Sequence, residues 1–134
     1  MNMEKINEYL KRIREGEDFI SAEVLEAVPY ENRQPNTWVE IRHPEFTSLC
    51  PRTGLPDYGT ITINYLPQQH IVELKSLKYY FLQFRNTGIF YEKLTPLILN
   101  HLVEVSRPLE MIVEAEFTSR GGLAAKIKST YKKE

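Results

Sequence analysis

The spacing of apolar residues changes period twice along this chain, and that change limits the fold more than any single motif does. Residues 37–42, TWVEIR, alternate sides as a half-buried strand should, and TITINYLP at 60–67 alternates again with β-branched residues throughout. After the short link Gln68-Gln69, HIVELK at 70–75 predicts a third strand, expected to form an antiparallel hairpin with the second. The period then becomes helical. Leu77, Tyr80, Phe81 and Phe84 follow one face, with Ser76 as a candidate N-cap, and Phe90, Leu94, Leu97, Ile98, Leu102 and Val105 mark a second helix. Asn86 to Gly88 separates the two, and Pro96 predicts either a kink or a helix start near it. Alternation returns in LEMIVEAEFT at 109–118 and, past Gly121-Gly122, in LAAKIK. Strands, two helices and strands again, with hairpins dominating, predict the α+β class: an antiparallel sheet carrying both helices on one face.

Ahead of this body, residues 3–15 place Ile6, Tyr9, Leu10 and Ile13 on one helical face, to be ended by Gly16. That face would pack on the domain or on a neighbouring subunit. From Phe19 to Pro35 the pattern is irregular, an extended arm with turns. Residues 1–134 are therefore expected to form one domain, with 1–36 as its N-terminal helix and arm. A sheet covered on one side only leaves a second face, expected to be partly apolar, and edge strands that invite pairing, so a homo-oligomer is expected.

Composition excludes several classes of function. A chain of 134 residues with net charge −1 has no broad cationic footprint for nucleic acid or an anionic membrane. Its single cysteine rules out an intramolecular disulfide and a Cys-rich zinc site, and His43, His70 and His101 are scattered, so no metal is expected. No apolar run suggests a signal peptide or a membrane span, which predicts a cytoplasmic protein.

Chemistry concentrates in PEFTSLCPRTGLPDYGT at 44–60. Pro51, Gly54 and Pro56 force the backbone to turn between Cys50 and Asp57, which can bring a sulfur and a carboxylate together on supports provided by the flanking strands. A lone cysteine is more often a small buried hydrophobe. Here the polar neighbours Thr47, Ser48, Arg52 and Thr53 suit a thiolate stabilised by a cation and by backbone N–H groups.

FTSLCPRTGLPDYGTI, then ELKSLKYYFLQFRN, FYE and FTSRGG, in that order from about Thr37 to Gly122, closely resemble the short QueF-type nitrile reductases of queuosine biosynthesis, a tRNA-modification pathway. The resemblance implies the tunnelling fold, with the sheets of several subunits joined into a barrel and active sites at subunit interfaces. It implies NADPH-dependent reduction of the nitrile of 7-cyano-7-deazaguanine to an aminomethyl group. Cys50 would be the nucleophile that forms a covalent thioimide, and Asp57 the proton donor. Substrate would be framed by Val72, Glu73 and Leu74 and recognised by Glu92, whose carboxylate can accept from a ring N–H and an exocyclic amine together. Lys75, Lys78, Arg120 and Gly121 would meet the phosphates of NADPH, the cations neutralising charge where a glycine turn lets the backbone approach. Without the resemblance, Lys75 and Lys78 read as a solvated helix face, Arg120 as a turn residue and Glu92 as a solvated glutamate. One position departs from the family: Tyr91 stands where well-known members have histidine, so substrate contact is expected to survive but proton transfer there is in doubt.

Two other functions share these features. An archaeosine-type amidinotransferase would keep the cysteine and aspartate but lose the ELKSLKYY signature, which is intact here. A non-catalytic purine-binding oligomer would merely pack Cys50.

Overall fold

The computed structural model of the chain describes residues 2–14 and 20–134. Helix α1 (Met3–Arg14) is followed by β1 (Ala27–Pro29), β2 (Val39–Leu49), β3 (Pro56–Leu66), β4 (His70–Val72), α2 (Leu74–Leu82), a 3₁₀ turn (Gln83–Asn86), α3 (Tyr91–Ser106), β5 (Glu110–Arg120) and β6 (Leu123–Lys132). The expected order of strands, two helices and strands is present. The stop expected at Gly16 lies outside the described residues.

Four strands form an antiparallel sheet in the order β2-β3-β5-β6. Alternation decides which side is buried: Ile61, Ile63 and Tyr65 of β3 and Met111, Val113, Ala115 and Phe117 of β5 point into one core with Leu77, Tyr80, Phe81, Phe84, Leu94, Ile98 and Leu102 of the helical layer. Each buried Val, Leu, Ile, Phe or Met among them contributes roughly 1.5–3 kcal/mol by leaving water. Phe46, Phe81, Phe84 and Phe117 meet at tilted or edge-on angles, with Phe46 at 5.4–6.1 Å from the other three ring centres.

The opposite face is mainly polar. Glu40, Arg42, Thr60, Thr62, Asn64, Glu114, Glu116 and Lys126 line a groove there together with Pro44 and Tyr58, and Lys126 pairs with Glu114 at 2.8 Å, so the expected partly apolar character is present as a minor share. Phe46, Ile61, Ile63 and Phe117 lie on the core side instead.

The expected hairpin of residues 60–67 with 70–75 is also absent. Both edges of β3 are taken by β2 and β5, so the chain leaves the sheet at Pro67, and β4 pairs with β1 of the N-terminal arm, Ala27 opposite Val72. The third strand ends at Val72 because Glu73, not Ser76, caps α2: its two carboxylate oxygens accept from the N–H groups of Lys75 and Ser76 at 2.9 and 2.7 Å. Ser76 instead donates its hydroxyl to the Glu73 carbonyl and accepts from the N–H of Glu26, tying the arm to the helix start. Helix α3 begins at Tyr91 and runs through Pro96.

The face of α1 packs on the body of the chain: Ile6 and Tyr9 are buried, and the Tyr9 hydroxyl donates to the Tyr79 carbonyl at 2.7 Å. Behind it, the buried amide of Gln83 accepts from the N–H of Ser21 and donates to the Ser21 carbonyl, while the Gln83 carbonyl receives the hydroxyl of Thr87.

Two of the three scattered histidines are built into this packing. His43 stacks on Phe81 with ring centres 4.7 Å apart, and His101 shares a 2.7 Å hydrogen bond with the Tyr80 hydroxyl. Burial lowers the pKa of both below 6.5. Their contribution to stability is fully present above the unfolded value and is lost as pH falls through the lower folded value, because the unfolded chain then binds protons that the folded chain resists. Melting temperature is therefore expected to fall between about pH 7 and pH 5. The fall should be shallower in His101→Gln; equal slopes in a thermal-melt series would remove His101 from the account.

Candidate active site

The β2–β3 hairpin turns much more tightly than the sequence suggested. Both strands run to the edge of the reactive residues, leaving only residues 50–55 as the turn, in which the Cys50 N–H donates to the Leu55 carbonyl and the Gly54 N–H to the Cys50 carbonyl, each at 2.8 Å. Pro56 is tolerated as the first residue of its strand, and Pro44 on the sheet-edge strand β2.

A bulge in β2 decides which way the thiol faces. Ile41 and His43 lie opposite Ile63 and Ile61, but after the irregularity at residues 44–45 the partners become Phe46 with Gly59 and Ser48 with Asp57. The inward set thus changes from odd to even residues, which carries Phe46, Ser48 and Cys50 to the side occupied by Asp57. A second irregularity, between Phe117 and Arg120 in β5, does the same for Arg120. Without either bulge, one member of the site would face the polar groove.

These shifts assemble four side chains. Asp57 is 4% exposed and bonds to Nη1 of Arg120, whose side chain remains 46% exposed. From the first turn of α3, Tyr91 brings its phenol up to Asp57. Burial first, then the negative charge of Asp57, raise the Tyr91 phenol to about 12, so it remains a proton-bearing donor at neutral pH. Its ring lies flat on Phe117 at 3.6 Å, which fixes the hydroxyl's direction.

The Cys50 thiol is pulled below its ordinary pKa chiefly by a hydrogen bond from the Thr53 hydroxyl, then by the backbone N–H groups of Thr53 and Arg52, with the Asp57 charge acting weakly the other way. The stabilising groups are the turn's own donors, as expected for the backbone; the cation expected from Arg52 is not among them.

One contact locks this turn to α3. The Leu49 N–H donates to the Thr87 carbonyl at 3.0 Å and the Ile89 N–H to the Leu49 carbonyl at 3.1 Å. Gly88 makes the approach possible, because a Cβ there would stand 3.2 Å from Cα of Pro51. The segment leading to Tyr91 and the strand leading to Cys50 are thereby held in register.

The remaining candidates gather at the β4–α2 junction. Val72 is buried and donates its N–H to the Tyr65 hydroxyl at 3.0 Å, while Leu74 is exposed. Burial tends to raise the Glu73 pKa, but the N–H groups of Ser76 and Lys75 outweigh it and hold the carboxyl below its ordinary value. Each of its oxygens keeps a lone pair for a further donor. Glu92 is exposed beside Tyr91.

The groups available to a cofactor fit an anionic dinucleotide. Lys75 and Lys78 are exposed at the start of α2, and Gly121 adopts φ 58° at the β5–β6 turn with no heavy atom within 4 Å of a Cβ position, so the backbone there is open to a ligand. Arg120, expected at the same phosphates, is engaged with Asp57 in this chain. Among the described residues no group of three or more His, Cys, Asp and Glu could hold a metal ion, and no helix is long and apolar enough to cross a membrane.

Sequence reasoning placed Ser48 near Cys50 but not opposite Asp57, and it missed Phe117 as a neighbour of the site. Alternation read backwards from Cys50 through Ser48 to Phe46, against the odd-numbered register of Val39 and Ile41, is the signal that would have located the bulge.

A family model described as QueF-like protein matches residues 56–134. Proteins named NADPH-dependent 7-cyano-7-deazaguanine reductase are similar throughout most of the chain. The one from Chlorobaculum parvum is 51% identical over 84% of this chain and 97% of its own length. That from Chloroherpeton thalassium is 52% identical with the same coverage, and that from Chlorobium luteolum 55% identical over 75% of this chain and 87% of its own. Among solved structures, an archaeosine synthase described as QueF-Like, in the apo form, superposes with a TM-score of 0.67 over 73% of this chain and 95% of that one, at 17% identity, a likeness of fold alone. The α+β tunnelling fold, the ordered motifs and about 50% identity over most of the chain together establish that it belongs to the QueF family of 7-cyano-7-deazaguanine reductases.

Proposed function

We propose that this chain catalyses the NADPH-dependent reduction of the nitrile of 7-cyano-7-deazaguanine to the aminomethyl group, as an enzyme of queuosine biosynthesis. The observation that carries the reading is the convergence of an activated thiol, Cys50, with a buried carboxyl, Asp57, on one side of a tight hairpin. A nitrile carbon is a modest electrophile, so it needs a soft anionic nucleophile and a proton for the nitrogen as charge develops there.

Cys50 adds its thiolate to the nitrile carbon, forming a C–S bond, and Asp57 delivers the proton to nitrogen, giving a thioimide. NADPH, when bound, supplies the hydride for each of two reductions, and the thiol leaves between them. Glu92 accepts hydrogen bonds from the deazaguanine edge, and Val72, Glu73 and Leu74 frame the ring. Tyr91 orients the Asp57 carboxyl. Lys75, Lys78 and Gly121 would hold the cofactor's phosphates, and Arg120, bonded to Asp57 through Nη1, would reach them with its remaining N–H groups.

The unpaired edges of β2 and β6 and the polar sheet face support assembly of several copies into a barrel, with residues of neighbouring subunits completing each site. One hydrophobic cluster joining sheet and helices supports reading 1–134 as a single domain; the net charge of −1 supports action on small molecules without direct nucleic-acid contact, which we place in the cytoplasm.

Purified protein supplied with 7-cyano-7-deazaguanine is expected to oxidise two NADPH for each amine formed, followed by absorbance and by product quantification. A covalent adduct at Cys50 without NADPH oxidation would move the protein to the amidinotransferases, and neither adduct nor oxidation would leave a purine-binding oligomer.

A further inference from the structure

We propose that Ser48 is a positioning residue for Asp57, orienting its carboxyl before and after the proton transfer. Ser48 is 0% exposed, and its hydroxyl has no hydrogen-bond partner among the described residues. A buried hydroxyl left in this state is costly, so a group that accepts the cost in one state of the site is expected to be used in another.

The register identifies that use. Ser48 stands directly opposite Asp57 in the β2–β3 pair, which places their side chains on the same face at neighbouring positions. The groups facing Asp57 are Arg120 from the end of β5, Tyr91 from α3 and the Cys50 thiol from the turn, while Thr47 donates its hydroxyl only to the Asp57 carbonyl, at 2.8 Å. Arg120 and Tyr91 are donors, and both suit a carboxylate. Arg120 cannot accept the O–H of a carboxylic acid, because a guanidinium has no acceptor lone pair; a hydroxyl can, and of the hydroxyls near Asp57 it is the buried one of Ser48 that has no partner among the described residues. The Ser48 hydroxyl can accept from the protonated carboxyl and, after rotating, donate to the carboxylate left once the proton has moved to the substrate nitrogen. Solvent returns the proton before the next turnover. The bulge at residues 44–45 is what brings this hydroxyl to the side of Asp57.

This inference rests on the proposed nitrile reduction, so the wild type and variants are assayed together. Ser48→Ala is expected to lower kcat about tenfold to a hundredfold, with KM for nitrile and NADPH within about twofold of wild type. The melting temperature should be unchanged or higher, since an unpartnered buried hydroxyl is removed. Ser48→Thr, which keeps the hydroxyl, is expected to recover most of the rate. A Ser48→Ala enzyme with wild-type kcat, or with its loss confined to KM, overturns the proposal. An inactive wild type overturns the nitrile-reductase reading and this inference with it.

Discussion

Cys50→Ala is expected to remove both the covalent adduct and measurable turnover while leaving the fold in place. If the thiolate is the nucleophile, no other thiol in the chain can replace it, because Cys50 is the single cysteine. Loss of a nucleophile of this kind costs on the order of four or more powers of ten in rate. The structure explains why the scaffold should survive. Cys50 holds the hairpin through its N–H to Leu55 and its carbonyl to Gly54, both of which alanine retains, and its partly exposed thiol contributes little to the core. Intact-mass spectrometry after incubation with the nitrile, beside a thermal melt, separates the two effects. An adduct on the alanine variant would place the nucleophile elsewhere.

Asp57→Asn is expected to have the next largest effect, about a hundredfold to ten-thousandfold on turnover, the range for removing a positioned general acid. Asparagine keeps an oxygen to accept from Arg120 and Tyr91 but has no acidic proton to give. The slow step should move to formation of the adduct, visible as a slower approach to the mass-shifted species in a single-turnover time course. Because the partner Arg120 is nearly half exposed, water can take over much of the lost ion pair, so the melting temperature should drop by only a few degrees. Undiminished adduct formation in Asp57→Asn would transfer the proton-donor role to another group, with Tyr91 the first to test.

Much of this architecture is legible in the chain because period and burial are local properties. Ile61, Ile63, Met111 and Val113 announce their faces by alternation, and Leu94, Ile98 and Leu102 by helical spacing, so sheet and helices could be read directly. Strand pairing is not local. HIVELK reads as a strand following a strand, yet the hydrogen-bonding edges of β3 are claimed by β2 and by β5, which lies more than forty residues downstream of it, leaving only β1 for His70 to Val72. Glu73 was misread for a related reason: a carboxylate able to cap a helix can equally be an outward strand residue until the strand's partner is known.

For the site, Cys50 and Asp57 stood out by residue type and by the turn between them. The family resemblance supplied Tyr91 and Arg120, but not their attachment to Asp57. That attachment depends on two one-residue changes of register, which no composition or motif displays. The polar character of the open sheet face follows from the same arithmetic, since a strand spends its large apolar residues on one side only.

The buried amide of Gln83 has a practical consequence for anyone shortening or tagging this protein. Ser21 grips that amide, the Gln83 carbonyl holds Thr87, and Thr87 holds Leu49, one residue before the thiol. A deletion that reached Ser21 would strand a buried carboxamide and slacken the anchor of the reactive hairpin at the far end of this series. The N-terminal arm is thus a poor place for trimming, whereas the exposed tip at Arg52, which carries no link in the series, offers a handle for a small label only at the expense of crowding the thiol itself.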